Sequence, residues 1–108
     1  MTDLATTFSA LGDKTRFAIV ERLLSEGELA AGTLQGVAEI SAPAISRHLK
    51  VLREAGLITQ RVDRQNRMYS VNPSALQAVN AWIEYHRKFW ERSLDRLEQA
   101  LLLEEDNG

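Results

Sequence analysis

The stretch Ser41-Ala-Pro-Ala-Ile-Ser-Arg-His-Leu-Lys-Val-Leu-Arg-Glu-Ala-Gly-Leu-Ile58 constrains this 108-residue chain more than any other. It reads as one helix, capped at both ends, that runs straight into a strand. The Ser41 hydroxyl can accept a hydrogen bond from a backbone N–H two or three residues on. Pro43 sits in the first turn, where a missing N–H costs nothing, and Gly56 supplies a left-handed stop after Ala55. Between these signals Ile45, Leu49 and Leu52 recur at helical spacing and dock on a core. The opposite face carries Pro43, Ser46, Arg47, Lys50 and Glu54. Its leading half is small, hydroxylated and cationic, the surface with which a helix enters a DNA major groove.

The flanking pattern places this helix in a fold. A first helix is expected over Thr2–Leu11, with Leu4, Phe8 and Leu11 on one face and Gly12 as its stop. Asp13 then caps a second helix, Lys14–Leu24, with Phe17, Val20, Leu23 and Leu24 as a broad buried stripe. Ser25-Glu-Gly27 breaks the chain. A short third helix within Ala30–Ala38 points Leu34 and Val37 inward, and Glu39-Ile40 turns into the Ser41 helix, so that 30–55 forms a helix-turn-helix. Leu57–Val62 and Arg67–Val71 are rich in β-formers and are bridged by Asp63-Arg-Gln-Asn66, which predicts a hairpin with a cationic tip over 57–72. Asn72-Pro73-Ser74 punctuates the chain before a long helix over 74–103.

On that last helix Leu76, Val79, Ile83, His86, Trp90, Leu94, Leu97 and Leu101 are spaced 3-4-3-4-4-3-4, nearly a coiled-coil seam. Trp82 and Phe89 widen it. So long an apolar face exceeds what a small domain covers, so part of it is expected to pack on a second copy. His86 then reads as a polar break in the seam, and the aromatics as packed core rather than the lining of a ligand cavity. The expected architecture is mainly α with a small β-hairpin (α+β), as a single domain over 1–103 with a frayed acidic tail at 104–108.

Composition narrows function. Apolar residues make up 44% of the chain, as in a globular fold. With no cysteine there is no disulfide, thiolate metal site or cysteine nucleophile. No phosphate loop, paired histidines or serine with a base partner is present, so no enzyme is expected. No segment approaches a membrane span, and the N-terminus lacks the pattern of a signal peptide, which points to the cytoplasm. Net charge is −2, yet residues 47–67 carry six cations against two anions, a +4 island in a chain whose remainder is −6. Such an island steers one surface toward a polyanion.

Two segments carry a family resemblance. Phe8-Ser-Ala-Leu-Gly-Asp-Lys-Thr-Arg-Phe-Ala-Ile-Val-Glu-Arg-Leu-Leu24 resembles the opening of ArsR/SmtB-type winged helix-turn-helix regulators, and Ser41–Ile58 resembles their recognition helix and first wing strand. With Arg67-Met-Tyr-Ser-Val-Asn-Pro73 the likeness spans most of the chain. It implies a homodimeric repressor that binds a pseudo-palindromic operator through paired recognition helices and releases it on meeting an inducer. It also implies an interface formed by helices 1–11 and 74–103, which adds Leu4 and Phe8 to the seam. Metal-sensing members carry a Glu-Leu-Cys-Val-Cys-Asp-Leu pattern where this chain has Glu28-Leu-Ala-Ala-Gly-Thr-Leu34, so Ala30 and Gly32 stand in place of the thiolates. Glu84-Tyr-His86 imitates one ligand pair of a second family site, but Leu97 and Ala100 replace the other. The resemblance is thus to the subgroup without recognisable metal ligands, and neither metal nor cofactor is expected.

The DNA contacts follow. Arg47 suits guanine O6/N7 and Lys50 a phosphate. Ser41, Ala42, Ala44 and Ser46 permit close approach. His48 flanks the apolar stripe and fits either a phosphate contact or a satisfied half-buried ring. Arg61, Arg64, Gln65 and Arg67, on or beside the wing tip, suit the minor groove and its flanking phosphates, the plainer alternative being a solvated hairpin. Arg53, beside Glu54, belongs to a solvated face, and Tyr69 to the core. A competing function is a helical protein–protein interaction module on a winged-helix scaffold, which has no need of the basic island.

Overall fold

Aspartate side chains open the first two helices. In the structure, a computed structural model that describes residues 3–107 and side chains through 105, Asp3 accepts from the Thr6 N–H at 2.8 Å and starts α1, Leu4–Leu11. Thr2, where the sequence placed the start, lies outside the described residues. Asp13 accepts from the N–H groups of Thr15 and Arg16 at 2.9 and 3.0 Å and starts α2, Lys14–Glu26. The Arg16 N–H is the main reason the Asp13 carboxyl titrates below its ordinary range. Each cap satisfies N–H groups that the helix itself cannot pair.

The buried faces of both helices differ in part from the expected ones. In α1 the buried residues are Thr7 and Ala10, with Leu4 and Leu11 half-buried and Phe8 exposed. In α2 they are Ile19, Val20 and Leu23, while Phe17 and Leu24 are 49% and 54% exposed. The apolar arc of α2 is wider than one contact surface, so its rim residues stay in water.

After Gly27, whose φ is +83°, the chain does not go directly into a helix. Leu29–Ala30 form a two-residue strand, β1, and the third helix shrinks to α3, Ala31–Gln35, in place of 30–38. Gly32 and Gly36 weaken a longer helix, and β1 gains ladder hydrogen bonds from a distant strand. Leu34 is fully buried and Val37 half-buried, both on the inward side. The turn that follows holds Glu39 at φ +52°.

Next comes α4, Ala42–Glu54, then β2, Ile58–Asp63, and β3, Asn66–Val71. The hairpin has six paired positions from Ile58↔Val71 to Asp63↔Asn66, so the expected four-residue bridge contracts to Arg64-Gln65. Leu29 pairs with Tyr69 and Ala30 with Met68, which makes a three-stranded antiparallel sheet of order β1-β3-β2 rather than a hairpin alone. Ile19, Leu34, Leu49, Leu52 and Leu57 form the centre of the core, with Tyr69 closing it from β3. Fully burying side chains of this kind stabilises the fold by roughly 1.5–3 kcal/mol each.

The expected single helix over 74–103 is two, α5, Pro73–Tyr85, and α6, Arg87–Asn107, parted at His86. Trp82, Ile83, Tyr85 and His86 all lose rotamer freedom in a helix, and the Trp82 and Tyr85 rings close on the imidazole at 5.1 and 4.9 Å. At its far end α6 passes Leu103 and runs on through the acidic residues to Asn107, with Gly108 outside the described residues. The chain also divides into two compact units, one ending at Leu76 and one beginning at Gln77. Among the described residues of α5 and α6 none is completely buried.

Candidate nucleic-acid interface

Local chemistry fixes α4 at both ends. Ser41 Oγ accepts from the Ala44 N–H at 3.3 Å, with Pro43 in the first turn. At the other end the Gly56 N–H donates to Arg53 O at 2.9 Å and the Leu57 N–H to Leu52 O at 3.0 Å. Those paired bonds, with Gly56 at φ +76°, form a Schellman stop. Asn72 then welds β3 to this stop: its side-chain N–H reaches Gly56 O at 2.9 Å and its backbone N–H reaches Leu57 O at 2.8 Å. The Asn72 carboxamide oxygen also accepts from the Ser74 N–H at 3.2 Å and caps α5.

Burial of Ile45, Leu49 and Leu52 dictates what α4 turns outward. Ser46, Arg47 and Lys50 are exposed, as are Ser41 and Ala42, while Ala44 is half-buried. Lys50 lies 3.9 Å from Glu54, a loose pair between two well-exposed side chains that contributes little. Arg53 bonds Gln60 on β2 and so faces the wing base. Among the described residues, Arg47, Arg64 and Arg67 carry no ion pair.

At the wing tip Arg64, Gln65 and Arg67 are exposed. Arg64 holds φ +60°. A left-handed residue at the first central position of a two-residue hairpin turn is where a type II′ turn uses glycine. Arginine there is costly to the fold. Arg61 is different: its Nε and Nη2 reach the two carboxylate oxygens of Glu28 at 2.7 and 2.5 Å. That fork holds the Glu28 carboxyl below its usual range, and it braces β2 against the residue that precedes β1.

His48 is half-buried against α2. Its Nδ1 lies 3.4 Å from Arg16 Nη1 and 3.9 Å from Asp13 Oδ1. Both contacts fall on the same ring nitrogen.

The helix-turn-helix domain family matches residues 11–61. An HTH-type transcriptional regulator of Mycobacterium tuberculosis is 40% identical over 93% of this chain and 90% of its own length. The transcriptional repressor SdpR of Bacillus subtilis is 37% identical over 70% of this chain and 83% of its own. A solved ArsR family transcriptional regulator superposes with a TM-score of 0.73 at 27% identity, over 84% of this chain and 97% of that one. The chain belongs to the ArsR family of winged helix-turn-helix regulators.

As an ArsR-family member it is a DNA-binding transcriptional regulator. The geometry groups the expected contacts unevenly. Ser46, Arg47 and Lys50 share the outer face of α4, and Arg64, Gln65 and Arg67 share the tip, but Arg61 is drawn to Glu28 and His48 to α2. Two residues that sequence reasoning passed over, Arg16 and Glu28, hold these last two. Neither showed a local signal, because each partner lies more than 30 residues away along the chain.

In the second unit, Trp90, Leu94, Leu97 and Leu101 stand 49–66% exposed along α6, and Ile83 46% along α5. Leu76 and Val79, at the start of α5, are half-buried, as is His86. Among the described residues no three of histidine, cysteine, aspartate and glutamate gather as metal ligands, and no helix is long and apolar enough to cross a membrane.

Proposed function

We propose that this regulator is a homodimeric repressor that binds a pseudo-palindromic operator without a metal, in the cytoplasm. The observation that carries the reading is the exposed face of α4, with Ser46, Arg47 and Lys50 turned out by a fully buried opposite stripe. Arg47 reads guanine in the major groove and Lys50 takes a phosphate. Ser41, Ala42 and Ala44 let the backbone approach the groove, and His48 donates to a phosphate at its flank. Arg64, Gln65 and Arg67 follow the neighbouring minor groove, while Arg61 keeps the wing at its angle through Glu28.

Two copies are needed because the α6 stripe has a seam's spacing and stands open to water. In this reading Phe8 and Leu4 on α1, and Leu76, Val79 and Ile83 on α5 with His86 just beyond it, also pack on the second copy. Repression follows the relatives, of which SdpR is named a transcriptional repressor. A small-molecule inducer is compatible with the fold, and no residue here identifies one. The exposed α6 face also fits the second reading, a module that binds a helix of another protein.

Selection of operator DNA from a random duplex pool, followed by gel shifts, tests the proposal. Arg47→Ala should weaken the selected site by roughly 5–150-fold, the equivalent of about 1–3 kcal/mol, and relax choice at one base per half-site. Undiminished affinity rules out this docking. A monomer in sedimentation, with no DNA affinity at low salt, favours the second reading.

A further inference from the structure

The Arg16 side chain links three helices. Its Nε donates to Ala10 O at 2.7 Å and its Nη2 to Ser9 O at 3.5 Å, both at the end of α1. Its Nη1 lies 3.4 Å from His48 Nδ1 on α4. The competing group is Asp13, whose Oδ1 is 3.9 Å from the same nitrogen and already accepts two N–H groups of α2. These two neighbours demand opposite things of the ring. A guanidinium has five N–H donors and no acceptor, so contact with it requires a bare Nδ1. A carboxylate only accepts, so bonding to it requires Nδ1–H. Arg16 is within hydrogen-bond reach and Asp13 is beyond it.

We infer that Arg16 is a positioning residue that holds neutral His48 as the Nε2–H tautomer, so that α4 offers an N–H donor to a DNA phosphate. The second half rests on the placement of His48 in the DNA contact set. A phosphate oxygen accepts and cannot donate. The opposite tautomer would set a ring lone pair against it, and the contact would turn from attraction to repulsion. Arg16 therefore acts on DNA through another side chain, from a position beneath the recognition helix where its own cation is spent on carbonyls. The same guanidinium fastens α4 to α1, so the orientation of the helix and the protonation pattern of its flank have one cause.

The first arm of the test needs no DNA. Nitrogen-15 NMR of the histidine rings is recorded on the full chain at a pH where both are neutral, with His86→Gln assigning the two signals. The parent should show His48 protonated at Nε2. In Arg16→Met, which keeps the stem and removes the donors, Asp13 becomes the sole polar neighbour of Nδ1, and an Nδ1–H population should appear. Arg16→Lys, which restores a donor, should return the ring toward Nε2–H. A parent ring protonated at Nδ1, or a tautomer unmoved in Arg16→Met, overturns the inference. The parent spectrum decides even where Arg16→Met does not fold.

The second arm measures binding to the selected operator duplex. His48→Gln, whose amide N–H stands near the Nε2 position, should keep more of the parent's affinity than a variant whose amide cannot reach that position. His48→Asn, whose amide lies near Nδ1, should lose about tenfold. Equal affinity of the two overturns the phosphate half while leaving the tautomer result standing. A parent that selects no operator sinks the proposed function separately.

Discussion

Arg64→Gly should make the protein more stable and a weaker DNA binder at the same time. At φ +60° a residue with a Cβ carries a strain of roughly 1–2 kcal/mol. Glycine removes that strain but adds conformational freedom to the unfolded chain, which costs roughly 0.5–1 kcal/mol. Arg64 is exposed and carries no ion pair among the described residues, so no packing is lost. The net gain is about 0.5–1 kcal/mol, and Tm should rise by roughly 2–8 °C for a domain of this size. Binding moves the other way. Each phosphate contact contributes about −0.9 to the slope of log K against log salt, so a dimer that loses two contacts should have a slope about 2 units shallower. Thermal melts at one fixed protein concentration and fluorescence anisotropy across a salt series read the two effects. A lower Tm refutes the strain argument, and an unchanged slope removes the wing tip from the DNA. Together, opposite signs would show that the arginine is retained for its charge against the interest of the turn.

Other perturbations test other joints. Asn72→Ala deletes a cap and a bond to Gly56 O, and should destabilise by about 2 kcal/mol in urea melts; a loss under about 0.5 kcal/mol would mean that water replaces the side chain without penalty. Glu28→Gln should destabilise at neutral pH and become neutral in acid. The Arg61 fork lowers the folded-state pKa of Glu28, so its contribution is present above the ordinary carboxyl value and is lost as pH falls through the lowered one. Parent and variant melts that still differ once pH has fallen below the lowered folded-state value would contradict this linkage. Leu97→Glu should convert a dimer to monomer in sedimentation velocity, since it sets a charge in the α6 seam; a dimer that survives would move the interface elsewhere.

Much of the interface was legible because its signals are local. Ser41, Pro43 and Gly56 do their work within a turn of their own positions, so α4 appears where its caps place it. Its buried stripe, Ile45, Leu49 and Leu52, is aliphatic at helical spacing. What escaped depends on distance. β1 is too short to show a period and exists because Met68 and Tyr69 arrive from about 40 residues on. The ranking of Phe17 below Ile19 depends on where α4 and β3 sit, which helical periodicity does not contain. The same holds at the site: Arg16 and Glu28 are ordinary surface charges until the fold delivers His48 and Arg61 to them. The parting at His86 reflects four bulky side chains within five residues, a propensity that the regular seam spacing hides.

The order β1-β3-β2 also decides which sheet edge is left unpaired. An unpaired strand edge is a template for copies of itself. β3, with Tyr69 and Val71, is the more apolar strand of the hairpin, and Leu29–Ala30 lie along its second edge. The long edge that remains belongs to β2, whose outer half carries Arg61 and Asp63. Two residues of strand thus place the sheet's more adhesive ribbon in the middle and leave its charged one at the margin, where a neighbouring molecule is repelled.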